Sequence, residues 1–439
     1  MASPVRLRIN VFTPLPPVLT DIANHSAGWL PHLAERADVA VWTAQAGWEF
    51  PDAPGLNVRE FDPASLPARE LNAADATFFN FGNNAGFHRE IFEAAQLVPG
   101  VAVLHDLSLQ HFFAALAGSR AGAAVYLDLM RRHHGAEGAA DAERFLLGKL
   151  PVDALAERYP LTLGATGRAI AIVAHNQAGA DALRPRTRLP VFHVPLSLRF
   201  SDVPEPRRPR AAPPYLLVVF GFIGANRRLA STLQALAALP ERGLFRLDIL
   251  GHVEDRAGTE ALVAQLGLGD EVRLHGYVAP DALNRALADA DLAINLRFPT
   301  MGEASGSQLR IWAHALPSVV SRVGWYATLP EDAVFHIDPA NEIPELVWHL
   351  LAFAADRERY LLAGRRGREI VLATHAPERY ADALLAIAAQ ASALHVGRAA
   401  LDLAHSAAGA LLEMVDAPTL RPAAPGVARA VTQLMGLPA

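Results

Sequence analysis

The chain has 439 residues, 51% of them apolar and 19% charged, which is material for two or three domains at about 100–200 residues each and excludes a disordered or fibrous chain. The formal charge is −6 and Lys149 is the only lysine, so the cations are arginines and no polyanion-binding signature covers the chain; nucleic acid is not an expected partner. Cysteine is absent, which excludes disulfide scaffolds, thiolate zinc sites and cysteine nucleophiles.

The start, MASPVRLRINVF, lacks the apolar core of a signal peptide. No stretch reaches the roughly 18 apolar residues of a spanning helix. Tyr215 to Ala225 comes closest and is ended by Asn226 and Arg227. The expectation is a cytoplasmic protein.

In chain order, short apolar runs bounded by turn residues alternate with helical periods, the pattern of an α/β protein with parallel sheets. Strands are expected at Leu7–Phe12, Val39–Thr43, Ala76–Asn80, Val101–Leu104 and Ile170–Val173, with a helix at Ala27–Arg36. The stretch Ser197 to Pro214, rich in proline and arginine and without apolar period, reads as a linker. Strands resume at Tyr215–Phe220, Arg246–Leu250, Val272–Leu274, Leu292–Leu296, Ser318–Val320 and Val334–Ile337. Two Rossmann-like domains follow, 1–196 and 215–390, joined by 197–214. The tail, 391–439, holds a helical stretch at Val396–Val415 and another at Val427–Met435, packed on the body or against a second copy.

Ligands of open parallel sheets bind beyond the carboxyl ends of the strands, which directs attention to four places. After Leu296, a loop carries Glu303, and Ala304, Ser305, Gly306 and Ser307 open a helix. Small residues at a helix start admit a phosphate to the backbone N–H groups, and Glu303 can accept from sugar hydroxyls. The structural alternative is a capping loop with Ser307 as N-cap and Glu303 solvated. The turn GFIGANRRL supplies Gly221 and Gly224 for a tight bend and Arg227 and Arg228 to grip a diphosphate; a solvated arginine pair is the alternative. His105 and Asp106 end a strand of the first half and face the same cleft, whereas His111 reads as packing. Asp21 and Asn24, in the Pro-rich loop after the first strand, read as helix caps at the cleft.

In their order these segments resemble the nucleotide-sugar-dependent retaining glycosyltransferases of GT-B fold, the bacterial group 1 family. The resemblance spans about residues 5–390 and includes VLHDL, VAHN, GFIGANRR, LDILGHVED, VRLHGYV, EASGSQLR and PSVVSRVG. It implies GT-B architecture, two Rossmann-like domains facing across a cleft with a C-terminal helical tail. It places Glu303 on the donor sugar, Ala304 to Ser307 on the diphosphate, Arg227 or Arg228 as the neutralising cation and His105 near the transferred sugar. Leu274 to Val278, with Tyr277 and Val278, would receive the nucleobase, and Gly251 and His252 would line that pocket.

Three positions depart from the family pattern. Ile311 stands eight positions after Glu303, where the family carries a second glutamate, Phe222 replaces the arginine of the diphosphate turn, and Asp21 replaces a glycine of the first loop. The implied reaction is hexosyl transfer from a nucleoside diphosphate sugar to an acceptor hydroxyl, with retention and without metal or other cofactor. The leaving phosphate takes the acceptor proton. Surface polysaccharide or glycoconjugate synthesis is the associated setting, with a glycan, lipid-linked or protein acceptor. Arg131 to His134, RRHH, is either a peripheral membrane contact or a solvated helix face. The alternative from another class is a non-catalytic nucleotide-sugar-binding or assembly partner.

Overall fold

The computed structural model describes residues 6–50, 54–199 and 210–414. Two parallel sheets organise them. The first is seven-stranded: β1 (Arg8–Phe12), β2 (Asp38–Thr43), β3 (Leu56–Glu60), β4 (Ala76–Phe81), β5 (Gly100–Leu104), β6 (Ala169–Ala174) and β7 (Val191–His193), in the order β3-β2-β1-β4-β5-β6-β7. The second has six: β8 (Tyr215–Phe220), β9 (Phe245–Leu250), β10 (Val272–Gly276), β11 (Leu292–Asn295), β12 (Ser318–Ser321) and β13 (Phe335–Ile337), in the order β10-β9-β8-β11-β12-β13. In each sheet the order reverses beside the first strand, which opens a crevice between β1 and β4 and another between β8 and β11.

Side chains alternate between two cores. In the first sheet Ile9, Val11, Phe78 and Val103 join one cluster, while Phe12, Phe79 and Leu104 join the other. Both faces are therefore covered, as near-continuous apolar strands require. The second sheet divides likewise, with Leu217 and Val219 on one side and Val218 and Phe220 on the other. The expected strands all form, within a residue or two at their ends. Two further strands lie at the edges of the first sheet: β3, LNVRE, is half exposed and polar, and β7 has only three residues, so neither carries an apolar run.

The helix Asp21–Ala34 starts earlier than the period alone suggests, and its N-cap is Thr20, whose side chain accepts from Ile22 N–H, rather than Asp21 or Asn24. Pro31 lies inside it while Trp29, Leu30 and Leu33 are buried as expected.

Two segments connect the sheets. Leu198 N–H donates to His375 O at 2.8 Å, so the outgoing chain and the returning chain bond to each other. Residues 200–209 of the expected linker lie outside the described residues. After the return, the helix Pro377–Ala388 packs with Trp29, Leu30 and Leu33: its Tyr380 and Leu384 belong to the core of the first sheet, although they fall within 215–390 in sequence. The helix Ala391–Met414 continues onto the same body, where Arg398 donates to Ala169 O at 2.7 Å and Ala391 is buried. The tail helix expected at Val427–Met435 lies outside the described residues. Among the described residues no single helix is long and apolar enough to cross a membrane. Arg131, Arg132 and His133 are exposed on the helix Arg120–Leu146.

Candidate functional site

The carboxyl ends of both sheets face each other, and the two bodies touch there. Met301 O accepts from Leu107 N–H at 2.9 Å and Ser108 N–H at 2.8 Å, and Asn176 Nδ2 donates to Gly302 O at 2.9 Å. The Glu303 loop of the second domain thus rests on the His105–Ser108 segment of the first.

On the second-domain side, β8, β9 and β10 end in glycines of positive φ: Gly221 (103°), Gly251 (132°) and Gly276 (71°). At Gly251 a Cβ would stand 2.0 Å from Gly221 O, so only glycine permits these turns to lie against each other. The space above them is bounded by Ser307, whose Oγ is 3.8 Å from a Cβ placed at Gly221. Ser305 caps the helix Gly306–Ala313 by accepting from Gln308 N–H at 3.1 Å, which corrects the assignment of Ser307 as N-cap. A Cβ at Gly306 meets no atom within 4 Å, so open space lies before this helix start. Ala304 is partly buried against the apolar cluster of Trp312 and Tyr326.

Arg227 is 3% exposed, donating to Asn295 Oδ1 at 2.8 Å and to Phe220 O, while its Nε has no hydrogen-bond partner. No carboxylate pairs with it among the described residues. Burial, then repulsion from Arg297, lowers its pKa to about 10, and it remains charged at neutral pH. Asn295 in turn donates to Gln308 Oε1 and Gln308 to Ser318 Oγ, both at 2.8 Å, so a buried chain of amides fixes the guanidinium from below.

Arg228 is placed differently from the expectation. Its Nε donates to both oxygens of Glu342, and Ser231 Oγ adds a third bond to that carboxylate, so its charge is already matched. The expected diphosphate cation therefore divides: among the described residues Arg227 has no directly paired carboxylate, with Asp21 and Glu303 acting only from further off, and Arg228 is neutralised.

Glu303 is also engaged. Oε1 lies 3.0 Å from Arg297 Nε, while Oε2 accepts from Thr300 Oγ1 at 3.0 Å and Met301 N–H at 2.7 Å. It is a held carboxylate rather than a solvated one. Ile311 is buried among Val218, Phe220 and Leu250, so the helix turns an apolar residue into the core eight positions after Glu303.

On the first-domain side, His105 Nε2 meets Asn80 Oδ1 at 3.0 Å; Asn80 Nδ2 donates to Phe12 O, so the histidine is the donor. Its ring packs against His175 and His25, with centroids 4.5 and 5.3 Å away. Burial, then the charges of His175, His25 and His88, holds His105 well below the usual histidine range, so it is neutral at pH 7. Asp106 accepts from Asn83 N–H at 2.8 Å. Burial and then the charge of Glu303 push its pKa up to about 7, against the opposing effects of the Asn83 bond and Arg297; Asp21 adds a smaller upward push. His111, read as packing, bonds Asp153 at 2.8 Å and Asn83 at 3.1 Å and so supports the Asp106 partner. Asp21 is exposed at its helix start.

The rim after β8, β9 and β10 is aromatic. Phe222 is 63% exposed and stacks on the exposed His252 with centroids 5.4 Å apart; Tyr277 is 66% exposed and Val278 partly buried. Gly224 closes the turn, where a Cβ would meet Glu254 at 2.9 Å. Sequence reasoning missed Arg297, Asn83, Tyr326 and Glu342. Arg297 follows the expected strand Leu292–Leu296 directly, so the strand-end rule held its signal; the other three act from distant segments and carry no local one.

No family model and no curated protein matches the sequence. Solved structures do. Sucrose-phosphate synthase from Thermosynechococcus elongatus aligns with TM-score 0.60 and 15% identity over 88% of this chain and 100% of that one. HepE of Anabaena, in complex with UDP and glucose, gives 0.59 and 12% over 88% and 100%. WaaG, a glycosyltransferase involved in lipopolysaccharide biosynthesis, gives 0.56 and 16% over 85% and 98%. At these identities the likeness establishes the fold, and that fold is GT-B.

Proposed function

We propose that the protein is a glycosyltransferase that moves a hexosyl unit from a nucleoside diphosphate sugar to an acceptor hydroxyl, retaining the anomeric configuration. One observation carries the reading: Arg227, a buried guanidinium with no carboxylate partner among the described residues, lies beside Gly221 and the open start of the helix Gly306–Ala313. A buried uncompensated cation is costly unless an anion meets it, and a helix N-terminus favours the same charge. HepE has been solved with UDP-glucose, which makes a uridine nucleotide the first donor to try.

In this reading the diphosphate sits against Gly221, Ser307 and the Gly306 N–H, with Arg227 beneath it, and needs no metal because protein charge meets it. Negative charge grows on the leaving diphosphate as the anomeric C–O bond breaks, so a preorganised guanidinium favours the transition state over the bound donor. The acceptor O–H proton passes to the departing phosphate oxygen on the face that the acceptor attacks. Neutral His105 and the Asp106 carboxyl line the sugar side. Glu303, its orientation fixed by Arg297, Thr300 and Met301, accepts from donor hydroxyls. The setting is surface polysaccharide or glycoconjugate synthesis in the cytoplasm, and the rim of Phe222, His252 and Tyr277 receives the base.

The test is a thermal-shift screen with UDP, GDP, dTDP and ADP and their hexose conjugates. A ligand at 100 times its Kd adds about 2.7 kcal/mol of stability. The expected result is a rise for one nucleotide series that is lost in Arg227→Met, followed by donor hydrolysis or transfer that Glu303→Gln removes. No rise with any nucleotide overturns the donor site. Donor binding without turnover under any acceptor supports the non-catalytic alternative instead.

A further inference from the structure

Phe222 leaves the turn after β8 without the arginine that the family resemblance leads one to expect, and Arg228 is matched by Glu342. The structure brings a different guanidinium to the same place. Arg297 follows β11, the strand next to β8, and its side chain is 18% exposed. It reaches Asn226 of the turn, with Nη1 to Oδ1 at 3.4 Å, and the backbone beside it is tied down by Arg297 N–H to Ser321 Oγ at 3.0 Å and Phe298 N–H to Asn226 O at 2.8 Å. Its Nε pairs with Glu303 at 3.0 Å off the line of a hydrogen bond.

Arg297 also repels Arg227, and the Tyr326 hydroxyl, buried without a hydrogen-bond partner of good geometry, feels both cations. Among the described residues Arg227 Nε and Tyr326 Oη have no hydrogen-bond partner of good geometry, and Arg297 Nε has only the off-line pairing with Glu303, so three under-bonded polar atoms gather around two guanidinium groups. Two adjacent guanidinium groups, Arg227 buried and Arg297 18% exposed, share one directly paired carboxylate, Glu303, with Asp106 and Asp21 acting from further off, so positive charge predominates where solvent screens it little.

We propose that Arg297 is the second cation of the diphosphate site, supplied from β11 in place of the turn residue at Phe222, and that Glu303 both orients it and tempers its charge. The proposal rests on the donor reading above and says which residues grip the leaving group. Asn226 links the two guanidinium groups: its backbone precedes Arg227 and its side chain touches Arg297.

Calorimetric titration with inorganic pyrophosphate and with UDP tests this, using the wild type, Arg297→Gln, Arg297→Lys and Glu303→Gln, each checked by circular dichroism for its fold. Loss of a charge-assisted bond weakens binding by about tenfold or more. Arg297→Gln is expected to lose that factor for both ligands, and Arg297→Lys, which keeps the charge but not the fork, to lose part of it. Glu303→Gln is expected to bind pyrophosphate more tightly, because Arg297 is then uncompensated; a purely structural role for the ion pair predicts no gain. If Arg297→Gln does not fold, the lysine and glutamine variants at 297 and 303 carry the test in opposite directions.

Wild-type affinity in Arg297→Gln, or no gain in Glu303→Gln, overturns the proposal while leaving the donor site standing. Failure of the wild type to bind pyrophosphate and all of UDP, GDP, dTDP and ADP removes the donor reading and this proposal together.

Discussion

Arg228 is bound to Glu342 across 114 residues of sequence, its Nε donating to Oε1 at 2.9 Å and to Oε2 at 2.8 Å. Glu342 opens the helix Glu342–Ala355 and is 4% exposed, so its charge depends on this partner and on Ser231 Oγ at 2.6 Å. Arg228 pays for the contact with a left-handed backbone, φ 54°, a conformation that costs a residue with a side chain about 1–2 kcal/mol.

Arg228→Ala is therefore expected to destabilise the second domain by leaving Glu342 buried and unmatched. A fully buried pair loses about 3–5 kcal/mol when broken. The arginine side chain is 37% exposed, so solvent screening reduces the expectation to about 1–3 kcal/mol. Arg228→Ala with Glu342→Gln is expected to be the more stable of the two variants, as urea unfolding will read.

Two glycines separate folding from binding. Gly251→Ala forces a Cβ to 2.0 Å from Gly221 O at φ 132° and is expected to cost about 2 kcal/mol or more with loss of nucleotide binding. Gly306→Ala meets no protein atom within 4 Å and is expected to keep the wild-type melting temperature. Its methyl group occupies the space proposed for the phosphate, so pyrophosphate affinity is expected to fall. Equal affinity in wild type and Gly306→Ala would move the anion away from this helix start.

Asp106 sets a stability limb at neutral pH. Its pKa in the fold, about 7, is raised above the ordinary value by burial first and Glu303 second. The folded state therefore holds a proton that the unfolded state has released, and stability is full below about pH 4 and declines as pH rises through 7. Asp106→Asn keeps an oxygen for Asn83 N–H and is expected to raise the melting temperature at pH 8 by roughly 2–4 °C, a change of about 1 kcal/mol, with little effect at pH 4.

The histidines act in the opposite sense. His175, whose Nδ1–H donates to Val194 O at 2.9 Å, is lowered to about 4, by burial above all. His25 and His105 are lowered with it, each by burial first and then by the charge of His175. Unfolded histidine protonates near pH 6.5, so this cluster contributes stability above 6.5 that is lost as pH falls toward 4. His175→Gln is expected to flatten that acid limb in melting curves taken from pH 7 to 4.5, and Asp106→Asn is expected to steepen it. An unchanged slope in His175→Gln would show that His175 takes up its proton in the folded state as readily as in the unfolded one.

The architecture was legible because parallel strands covered on both faces must be apolar along their whole length: AIAIVA and YLLVVF announce themselves, whereas LNVRE at an exposed edge does not. The strand-end turns and the helix start of the candidate site were legible for a related reason. Turns such as GFIGA and a helix start such as SGS need small residues locally, whatever the rest of the chain does. Charges carry no such local mark. Whether an arginine is solvated, paired or left uncompensated depends on which distant carboxylate arrives beside it.

The chain by itself determined the alternation of strands and helices, the glycine-bounded strand ends and the candidate residues after them, because backbone geometry and burial act on neighbours in sequence. Only the tertiary structure decided that Arg228 belongs to Glu342, that Arg227 pairs with no carboxylate among the described residues, that Arg297 sits between Asn226 and Glu303, and that Tyr380 completes the first domain after the chain has returned. Electrostatic and packing partners are chosen by distance in space, and β8, β11 and the helix Glu342–Ala355 meet only when the sheet has formed.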